Sequence, residues 1–586
     1  MGRRIERKPA TPPAGKTASK KQIYGRLLIY PIIIALFIIA TRKMQQRADW
    51  VGKSSAYQFH FIQDTHALQD NYDVKSYHLN LELQLDYQEK LLQANLKGAN
   101  QIVFKASKSG VKEITLNFST LMQVDSISGG DGYKHKENLL KVKLPEALQE
   151  NQLDTVTVYY QGWPKKYHSW SYGFGISYTL NKDSLYVPWL TTMNPPFGAQ
   201  TWMPCKDDPA DKADSLIVTV KAPSEFSVFS NGRLRAIKHL NGNRKQTVWV
   251  EKYPIATYLI HLNIGQLEIA EEAYLNNYGN NFNIGLLSPD LANTGAEIVH
   301  TQLNYMLGFL EKKIAPYPFP ESKLYISEFP GQGGMENQDM IAVERLGPTN
   351  ERLIMHELAH QWFGASATPD NFSDIWITEG LCNYLTALYL KEYKNISAFK
   401  AYLNEYRYAG SGLLRIRATN HPDSVYNINT TYRKATWFFY MLHEMLGEDL
   451  FWETISAFYR VHAYQTFNYS DFKSFVINYS GKDLSYFFDQ WVNEREVPDL
   501  LIKIIPKESI RQNMVRYQLT LKQKQPSHRP FQFPLQILLV GEKHQKMVNI
   551  LIRERTTIRE LNLPFYIEDV RLDPDKKILF TYELLR

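Results

Sequence analysis

Cysteine is nearly absent from this chain. The 586 residues include 2 cysteines, Cys205 and Cys382. Two thiols exclude a scaffold held together by several disulfides, and they exclude a zinc site built on four thiolates. Both cysteines stand in apolar or proline-rich surroundings, so they are predicted to be packing residues rather than catalytic groups.

The chain also lacks a positively charged body. The formal net charge is +7, but residues 1–48 carry 11 of the 67 basic residues and one of the 60 acidic ones. The other 538 residues therefore have 56 basic and 59 acidic groups, a net charge of −3. This balance gives no support for nucleic-acid binding, and no nucleic-acid partner is predicted. Hydrophobic residues at 44% and charged residues at 22% exclude a disordered chain.

An uncharged run, LLIYPIIIALFIIA, occupies Leu27–Ala40. It approaches the length of a membrane span, and it fits either a cleaved signal peptide or an uncleaved anchor. No small-residue cleavage site follows, which favours an anchor at about residues 27–41. Eight Lys or Arg residues precede the run and three follow it. The positive-inside rule then predicts a membrane protein with a single N-terminal pass, a basic cytoplasmic tail within residues 1–48, and a periplasmic or extracellular body.

The sequence beyond the run changes its pattern twice. Alternating apolar and polar residues, as in YHLNLELQLDY, predict an N-terminal β domain at 49–270. Helical spacing, as in AEIVHTQLNYMLGFLEKK, predicts a mostly helical domain at 271–497. Alternation returns in RYQLTL and LQILLV, which predicts a small β domain at 498–586. The chain is therefore predicted to be a multidomain α+β protein.

A candidate metal motif, HELAH, occupies residues 356–360. On a helix, His356 and His360 leave the same face, which is the geometry that two bonds to a tetrahedral zinc require. Glu357 lies beside them, where its carboxylate could reach a water on the metal. The alternative is a pair of solvent-facing histidines on an amphipathic helix.

A third ligand is needed, and after eighteen intervening residues Glu379 stands in SDIWITEGLCNYL. A carboxylate there leaves the fourth position of the zinc for water, although a solvated helix glutamate is the alternative. Thr349 and Asn350 are predicted to cap the first helix and Gly364 to end it. Ser373 is predicted to cap the second helix, with Glu379 near its second turn.

Two histidines, a glutamate and an open position together predict a hydrolase. Zinc lowers the pKa of its water and polarises a carbonyl. Glu357 would accept the proton of that water and deliver it to the leaving amine.

These residues resemble the M1 family of zinc aminopeptidases, gluzincins related to aminopeptidase N and leukotriene A4 hydrolase, in the short bacterial form. The family pattern HExxH, eighteen residues, then Glu matches HELAHQWFG and WITEGLCNY. A second family motif matches GGMEN at 333–337, and the family Y-x-K-G matches YRKA at 432–435. The resemblance covers roughly residues 70–586. It implies an N-terminal β saddle domain, a thermolysin-like catalytic domain and a small C-terminal β-sandwich.

The resemblance also implies roles for individual residues. Glu336 would bind the α-ammonium group of the substrate, and Tyr432 would hydrogen-bond the tetrahedral oxyanion. Glycines in GGMEN would let an extended substrate backbone approach closely. The implied substrate-binding set is Gly333, Gly334, Met335, Glu336 and Asn337.

The sequence departs from the family pattern at three positions. Ala435 replaces the usual glycine of Y-x-K-G. Pro195 stands where a second Glu or Gln usually helps to hold the substrate ammonium, and Gln200 stands where Arg or Lys is usual. Asn194 could supply a neutral acceptor, Glu336 could act alone, or recognition of the amino terminus could be lost.

The predicted function is zinc-dependent aminopeptidase activity on peptides with a free N-terminus, with one zinc per chain. Two alternatives remain. One is a zinc endopeptidase or hydrolase with altered N-terminus recognition. The other is a catalytically weak homologue that binds peptides.

Overall fold

The computed structural model describes residues 66–88, 91–164, 173–180, 186–416, 422–510 and 514–585. It is α+β, with a β-rich N-terminal part, a catalytic region that contains most of the helices, and a β-rich C-terminal part. The predicted multidomain α+β class is therefore confirmed.

The N-terminal part is built from β-strands in several sheets. It begins with helix α1 at His66–Gln69, and its described strands are β1 Tyr72–Gln88, β2 Leu91–Ala106, β3 Val111–Asn117, β4 Gln123–Ser128, β5 Gly132–Lys136, β6 Leu139–Leu148, β7 Leu153–Gly162, β8 Gly173–Leu180, β9 Tyr186–Met193, β10 Lys212–Ala213, β11 Ser215–Pro223, β12 Ser227–Ser230, β13 Arg233–Leu240, β14 Arg244–Glu251, β15 Ile255–Ala256 and β16 Leu262–Gly265. The largest sheet has the order β13-β14-β11-β1-β2-β7-β4. Buried and half-buried residues alternate along β11, so one face of this sheet packs on the core.

The middle part combines a mixed sheet with helices. Its described elements are β17 Glu268–Leu275, β18 Asn281–Ser288, α2 Ala296–Lys313, β19 Leu324–Glu328, β20 Gly334–Met335, β21 Met340–Val343, α3 Glu351–Ala359, β22 Thr368–Pro369, α4 Trp376–Tyr393, α5 Ile396–Glu405, α6 Pro422–Val425, the π-helical turn Ile428–Lys434, α7 Ala435–Leu446, α8 Glu448–His462, β23 Thr466–Phe467, α9 Tyr469–Ser480 and α10 Ser485–Val492. Helix α2 covers the segment that showed helical spacing in the sequence. The sheet has the order β17-β18-β19-β21-β20. Its inner strands are short and almost wholly buried, so they show little alternation for a pattern search to detect.

The C-terminal part is again made of strands. They are β24 Asp499–Ile510, β25 Met514–Gln523, β26 Phe533–Val540, β27 Gln545–Ile552, β28 Thr556–Leu563, β29 Asp569–Leu572 and β30 Thr581–Leu585. They form one sheet with the order β28-β25-β24-β30 and another with the order β27-β26-β29. The alternation that predicted this part is visible along β25, where buried and half-buried residues follow one another.

The expected helix caps are wrong in detail. A 3-10 turn at Pro348–Asn350 runs directly into α3, and the side chain of Asn350 donates to the carbonyl of Arg345 instead of capping the helix. Helix α3 ends at Ala359 rather than at Gly364. Another 3-10 turn, which includes Ser373, precedes α4, so the serine does not cap that helix.

The predicted localisation is corrected by the structure. No helix in the described part of the chain is long and apolar enough to cross a membrane. The predicted anchor at about residues 27–41 lies outside the described residues. The prediction of a membrane protein with a single N-terminal pass and a body outside the cytoplasm is corrected by this finding on the described helices.

A buried ion pair joins the N-terminal strands to the catalytic region. The Nζ atom of Lys323 lies 2.6 Å from Asp339 Oδ1 and donates to the carbonyl of Ser230 at 2.9 Å. The same carboxylate accepts from the backbone N–H of Gly232 at 2.9 Å. The Asp339 N–H donates to Gln361 Oε1 at 2.8 Å, just beyond α3. The pair therefore fixes the strands of both parts against the turn that follows α3.

Lys323→Met should destabilise the fold because it leaves the Asp339 carboxylate buried without its cation. Removing one partner of a buried ion pair costs about 3–5 kcal/mol, so the midpoint of thermal unfolding should fall by several °C. Lys252→Met is the matched control, since Lys252 lies 4.0 Å from Glu321 with side chains 75% and 71% exposed. An exposed pair of that kind contributes about 0–1 kcal/mol. Equal midpoints for the two variants would contradict the role given to the buried pair.

Candidate metal centre

Three buried side chains converge on one point. His356 Nε2 lies 3.2 Å from Glu379 Oε2, and His360 Nε2 lies 3.3 Å from the same oxygen. The two Nε2 atoms are 3.1 Å apart. A tetrahedral zinc with bonds of about 2.0–2.1 Å holds its ligand atoms about 3.3–3.4 Å apart. The donor set and its spacing therefore fit a single zinc ion.

Two packed helices bring these donors together. His356 lies in the last turn of α3, and His360 is the C-cap residue that directly follows the helix. Glu379 lies in the first turn of α4, one turn earlier than predicted. The Nδ1 atom of His360 is 2.9 Å from the carbonyl of Phe363, which favours a proton on Nδ1 and leaves Nε2 as an acceptor. The turn after α3 thus orients the second imidazole.

The carboxylate of Glu379 is stabilised in its charged form. Burial by itself would raise its pKa, but the imidazoles of His360 and His356 hold the pKa of Glu379 down to about 2. An ionised carboxylate beside two imidazole nitrogens is the ligand set that zinc prefers in catalytic sites with an open position.

Glu357 faces the edge strand of the middle sheet. Its carboxylate packs against Gly334 so closely that a Cβ on this glycine would collide with it. Glu357 is 4% exposed, and burial raises the pKa of its carboxyl group well above the usual range. A raised pKa makes the carboxylate a stronger base, which suits a group that accepts a proton during a reaction.

Glu336 follows the edge strand β20 and is also buried, at 4% exposure. Its Oε1 atom has no hydrogen-bond partner among the described residues. Burial raises the pKa of Glu336 to about 7, against the opposing effect of His360. A cation that entered this place would find one carboxylate oxygen, Oε1, that the described residues leave without a hydrogen bond.

Tyr432 lies in the π-helical turn and contacts the first histidine. Its ring centroid is 6.4 Å from that of His356. Burial and the carboxylates of Glu379 and Glu336 raise the pKa of the Tyr432 hydroxyl well above its usual value, so it stays protonated and can donate. Ala435 has φ −66° and ψ −40°, an ordinary helical conformation that does not require glycine. The alanine therefore leaves Tyr432 at the site.

All of these side chains line one cavity of about 810 Å³. Of the implied substrate-binding residues, Gly333, Gly334, Met335 and Glu336 line it and Asn337 does not. Gly333 has φ +75°, in the region that favours glycine. The cavity thus collects the metal donors, Glu357, Tyr432 and Glu336 within one volume of peptide size.

Family models match the two regions that form this site. The Peptidase M1 N-terminal domain model matches residues 70–259, and the Peptidase family M1 domain model matches residues 299–491. The chain belongs to peptidase family M1. Members of this family among the solved structures are zinc metallopeptidases, so the family implies zinc for the donors described above.

Similar proteins share this assignment at low sequence identity. This M1 chain is 24% identical over 335 residues to Aminopeptidase M1 of Arabidopsis thaliana, a match that covers 53% of this chain and 37% of the relative. The chain spans under half the length of the curated relatives it matches.

Solved structures establish the fold. A two-domain M1 zinc metallopeptidase mutant bound to L-tryptophan has a TM-score of 0.63 and 20% identity, over 73% of this chain and 96% of that one. Aminopeptidase A of Legionella pneumophila in complex with aspartic acid has a TM-score of 0.73 and 17% identity, over 88% of this chain and 60% of that one.

Pro195 stands where the family resemblance implies a second acceptor for the substrate ammonium. It lines the cavity and offers no side-chain acceptor. The side chain of Asn194 does not take over, because its oxygen accepts from Trp202 Nε1 at 3.0 Å and its amide donates to the carbonyl of Ile260 at 2.7 Å. Glu336 therefore remains the predicted ammonium acceptor that lines the cavity.

Gln200, the other departure in this segment, binds a buried carboxylate outside the cavity. Its backbone N–H and its side-chain amide both donate to Asp207 Oδ2, at 3.1 and 3.3 Å. Burial raises the pKa of Asp207 to about 7, although the hydrogen bonds from Gln200 act in the opposite direction. The two cysteines of the M1 chain are buried and unbridged, as their surroundings suggested.

Sequence patterns missed several residues that line the cavity of this M1 chain. Arg352 lies one helical turn before His356, so its spacing was visible in the sequence. Tyr402 and Tyr406 also line the cavity, but they come from α5 and the residues after it. Their place depends on how α5 packs against the rest of the catalytic region, which no local sequence pattern predicts.

Gly334→Ala should displace the Glu357 carboxylate without touching the metal ligands. We expect hydrolysis of a peptide substrate to fall about 100-fold, as for the loss of a general base, with zinc content unchanged by metal analysis. Gly308→Ala is the matched control, since a Cβ there meets nothing within 4 Å and Gly308 lies inside α2. Full activity of the Gly334 variant, or loss of its zinc, would show that this contact does not position Glu357.

Proposed function

We propose that this chain is a zinc-dependent aminopeptidase that removes N-terminal residues from peptides with a free amino terminus. The observation that carries the proposal is the Glu336 carboxylate, which is buried in the same cavity as the three metal donors and whose Oε1 atom has no hydrogen-bond partner among the described residues. An α-ammonium group pairs well with such a carboxylate. A peptide bound there would have its first peptide bond beside the donors.

His356, His360 and Glu379 would hold one zinc per chain. Bound zinc supplies a Lewis acid that polarises the substrate carbonyl and lowers the pKa of a water. The support for this ligand set is the mutual spacing of the three donor atoms, all within 4.8 Å of one another.

Glu357 would move the proton. Its carboxylate takes a proton from the attacking water and passes it to the nitrogen of the leaving amine. The buried setting that raises its pKa suits both steps, because the same group must accept and then donate. Gly334 holds this carboxylate toward the cavity by leaving it room.

Tyr432 would donate a hydrogen bond to the oxyanion that forms at the scissile carbonyl. Its protonated hydroxyl and its contact with the ring of His356 support this role. Gly333, Gly334, Met335 and Asn337 would complete the substrate-binding segment together with Glu336. The support is that β20 is the edge strand of its sheet, where an extended peptide can pair.

We also propose the domain limits 49–270, 271–497 and 498–586 for the β, catalytic and C-terminal domains, after an N-terminal segment at 1–48. The change from strands to helices and back supports them. Strand β17, Glu268–Leu275, crosses the first limit and pairs with β18 of the catalytic region, so the junction there is continuous.

Pro195 supports one alternative function. Without a second acceptor for the ammonium group, N-terminus recognition rests on Glu336, and a hydrolase that tolerates a blocked amino terminus is the competing proposal. The two differ in how they treat an acetylated substrate.

Glu357→Gln tests the mechanism. The variant should keep one zinc per chain by metal analysis, because its three ligands remain, and its kcat should fall roughly 10²–10⁴-fold because the proton carrier is lost. A variant that retains most of its activity would exclude this role for Glu357. A variant that loses its zinc would make Glu357 a ligand instead.

Free and N-acetylated forms of one peptide test the specificity. The enzyme should prefer the free form, and Glu336→Gln should lower kcat/KM for that form roughly 10–150-fold, the worth of a hydrogen bond to a charged group. The slow cleavage of the acetylated form should not change, which serves as the internal control. Equal cleavage of both forms by the unmodified enzyme would favour the endopeptidase alternative.

A further inference from the structure

The charges that line the cavity are unequally distributed. Glu336, Glu357 and Glu379 are acidic and buried. Among the cavity-lining residues that the structure describes, Arg352 is the single Lys or Arg. A permanent positive charge in a cavity otherwise arranged around carboxylates indicates a place where a negative group of the ligand can bind.

Contacts between α3 and the edge strand fix where this charge lies. Glu357 packs against Gly334. One turn later Gln361 donates to the carbonyls of Glu336 and Asn337, each at 3.3 Å. Helix α3 and the GGMEN segment therefore run parallel to each other. The start of α3 lies on the Gly333 side of the segment, away from Glu336.

This direction decides how a peptide leaves the site. A strand that pairs antiparallel with β20 and places its amino terminus at Glu336 runs back past Gly334 and Gly333. The residues after the scissile bond then pass the first turn of α3. That turn carries Arg352, four residues before His356 and on the same helix face.

The guanidinium of Arg352 is held in place but not fully occupied. It donates to Glu405 Oε2 at 2.7 Å and lies over the ring of Tyr402 at 4.6 Å from the centroid. Its side chain is 46% exposed. A guanidinium has five N–H donors, and Glu405 is the acceptor that the structure gives it within the described residues. Glu405 and Tyr402 thus orient the group and leave donors for a ligand.

We propose that Arg352 binds a carboxylate of the substrate on the leaving side of the scissile bond. Arg352 is one helical turn, about 5.4 Å, from His356, and an extended peptide advances about 3.3–3.6 Å per residue. The carboxylate, which extends a further bond or two from its backbone, therefore belongs to the first residue after the bond. It is either the C-terminal carboxylate of a dipeptide or an acidic side chain. The proposal rests on the proposed aminopeptidase function for the direction of the substrate.

Binding to the inactive Glu357→Gln enzyme tests the proposal without turnover. The ligands are leucyl-leucine, its C-terminal amide, and leucyl-aspartic acid α-amide, each titrated by calorimetry. Adding Arg352→Gln should weaken binding of a carboxylate ligand about tenfold, the lower end for a hydrogen bond to a charged group, because the site is half exposed. Binding of leucyl-leucine amide should not change.

The three ligands distinguish the two possible sources of the carboxylate, the peptide C-terminus and an acidic side chain. A loss confined to leucyl-leucine assigns Arg352 to the C-terminus of short peptides, and a loss confined to the aspartyl ligand assigns it to acidic side chains. Arg352→Lys should retain part of the affinity, since the ammonium group keeps the positive charge but lacks the paired, planar donors of the guanidinium. An equal loss for all three ligands, or no loss for any, overturns the proposal.

Lys394→Gln is the matched control. Lys394 follows α4 and pairs at 3.0 Å with Glu351, the neighbour of Arg352 in α3. Its side chain is 44% exposed, but it does not line the cavity. Its removal changes the net charge equally and should leave all three affinities unchanged. A loss equal to that of Arg352→Gln would show a long-range charge effect and overturn the proposal. Absence of hydrolysis of any peptide by the unmodified zinc enzyme would instead refute the proposed function.

Discussion

The contact between helix α3 and the edge strand β20 is the constraint on which the site depends. Gly334 lacks a side chain, so the Glu357 carboxylate can lie against the strand. Gln361 then joins the end of the helix to the carbonyl of Glu336 at 3.3 Å and to the N–H of Asp339 at 2.8 Å. Glu357, His360 and Glu336 are therefore positioned by one packing arrangement.

The electrostatics of the cavity follow from that arrangement. Glu336, Glu357 and Glu379 are each at most 4% exposed, and carboxylates are costly to bury without positive partners. Two imidazoles stabilise Glu379, while burial raises the pKa of the other two carboxyl groups. A divalent cation at the three donors, which the family implies, and the ammonium group of the proposed substrate are positive partners of the kind that these groups lack. The buried carboxyl groups therefore favour the binding of cations, because the described residues do not supply all of the positive partners that these groups need.

Departures from the family pattern have unequal consequences. Ala435 occupies an ordinary helical conformation and packs against Gly380, whose missing side chain leaves the room that two crossing helices need. Pro195 is different, because it lies on the cavity and its ring offers no side-chain acceptor. The first change is a matter of packing, whereas the second alters the chemistry that the substrate meets.

The sequence by itself predicted the α+β architecture and the three donors that the structure brings within 4.8 Å of one another, His356, His360 and Glu379. It could do so because helical spacing and strand alternation are local patterns. His356 and His360 needed only one helix to share a face. Tertiary structure decided what depends on packing between distant segments: the short buried strands of the middle sheet and the closeness of Gly334 to Glu357. It also decided the place of Arg352 on the cavity. Local periodicity cannot encode such contacts, since they depend on how elements far apart in sequence are stacked.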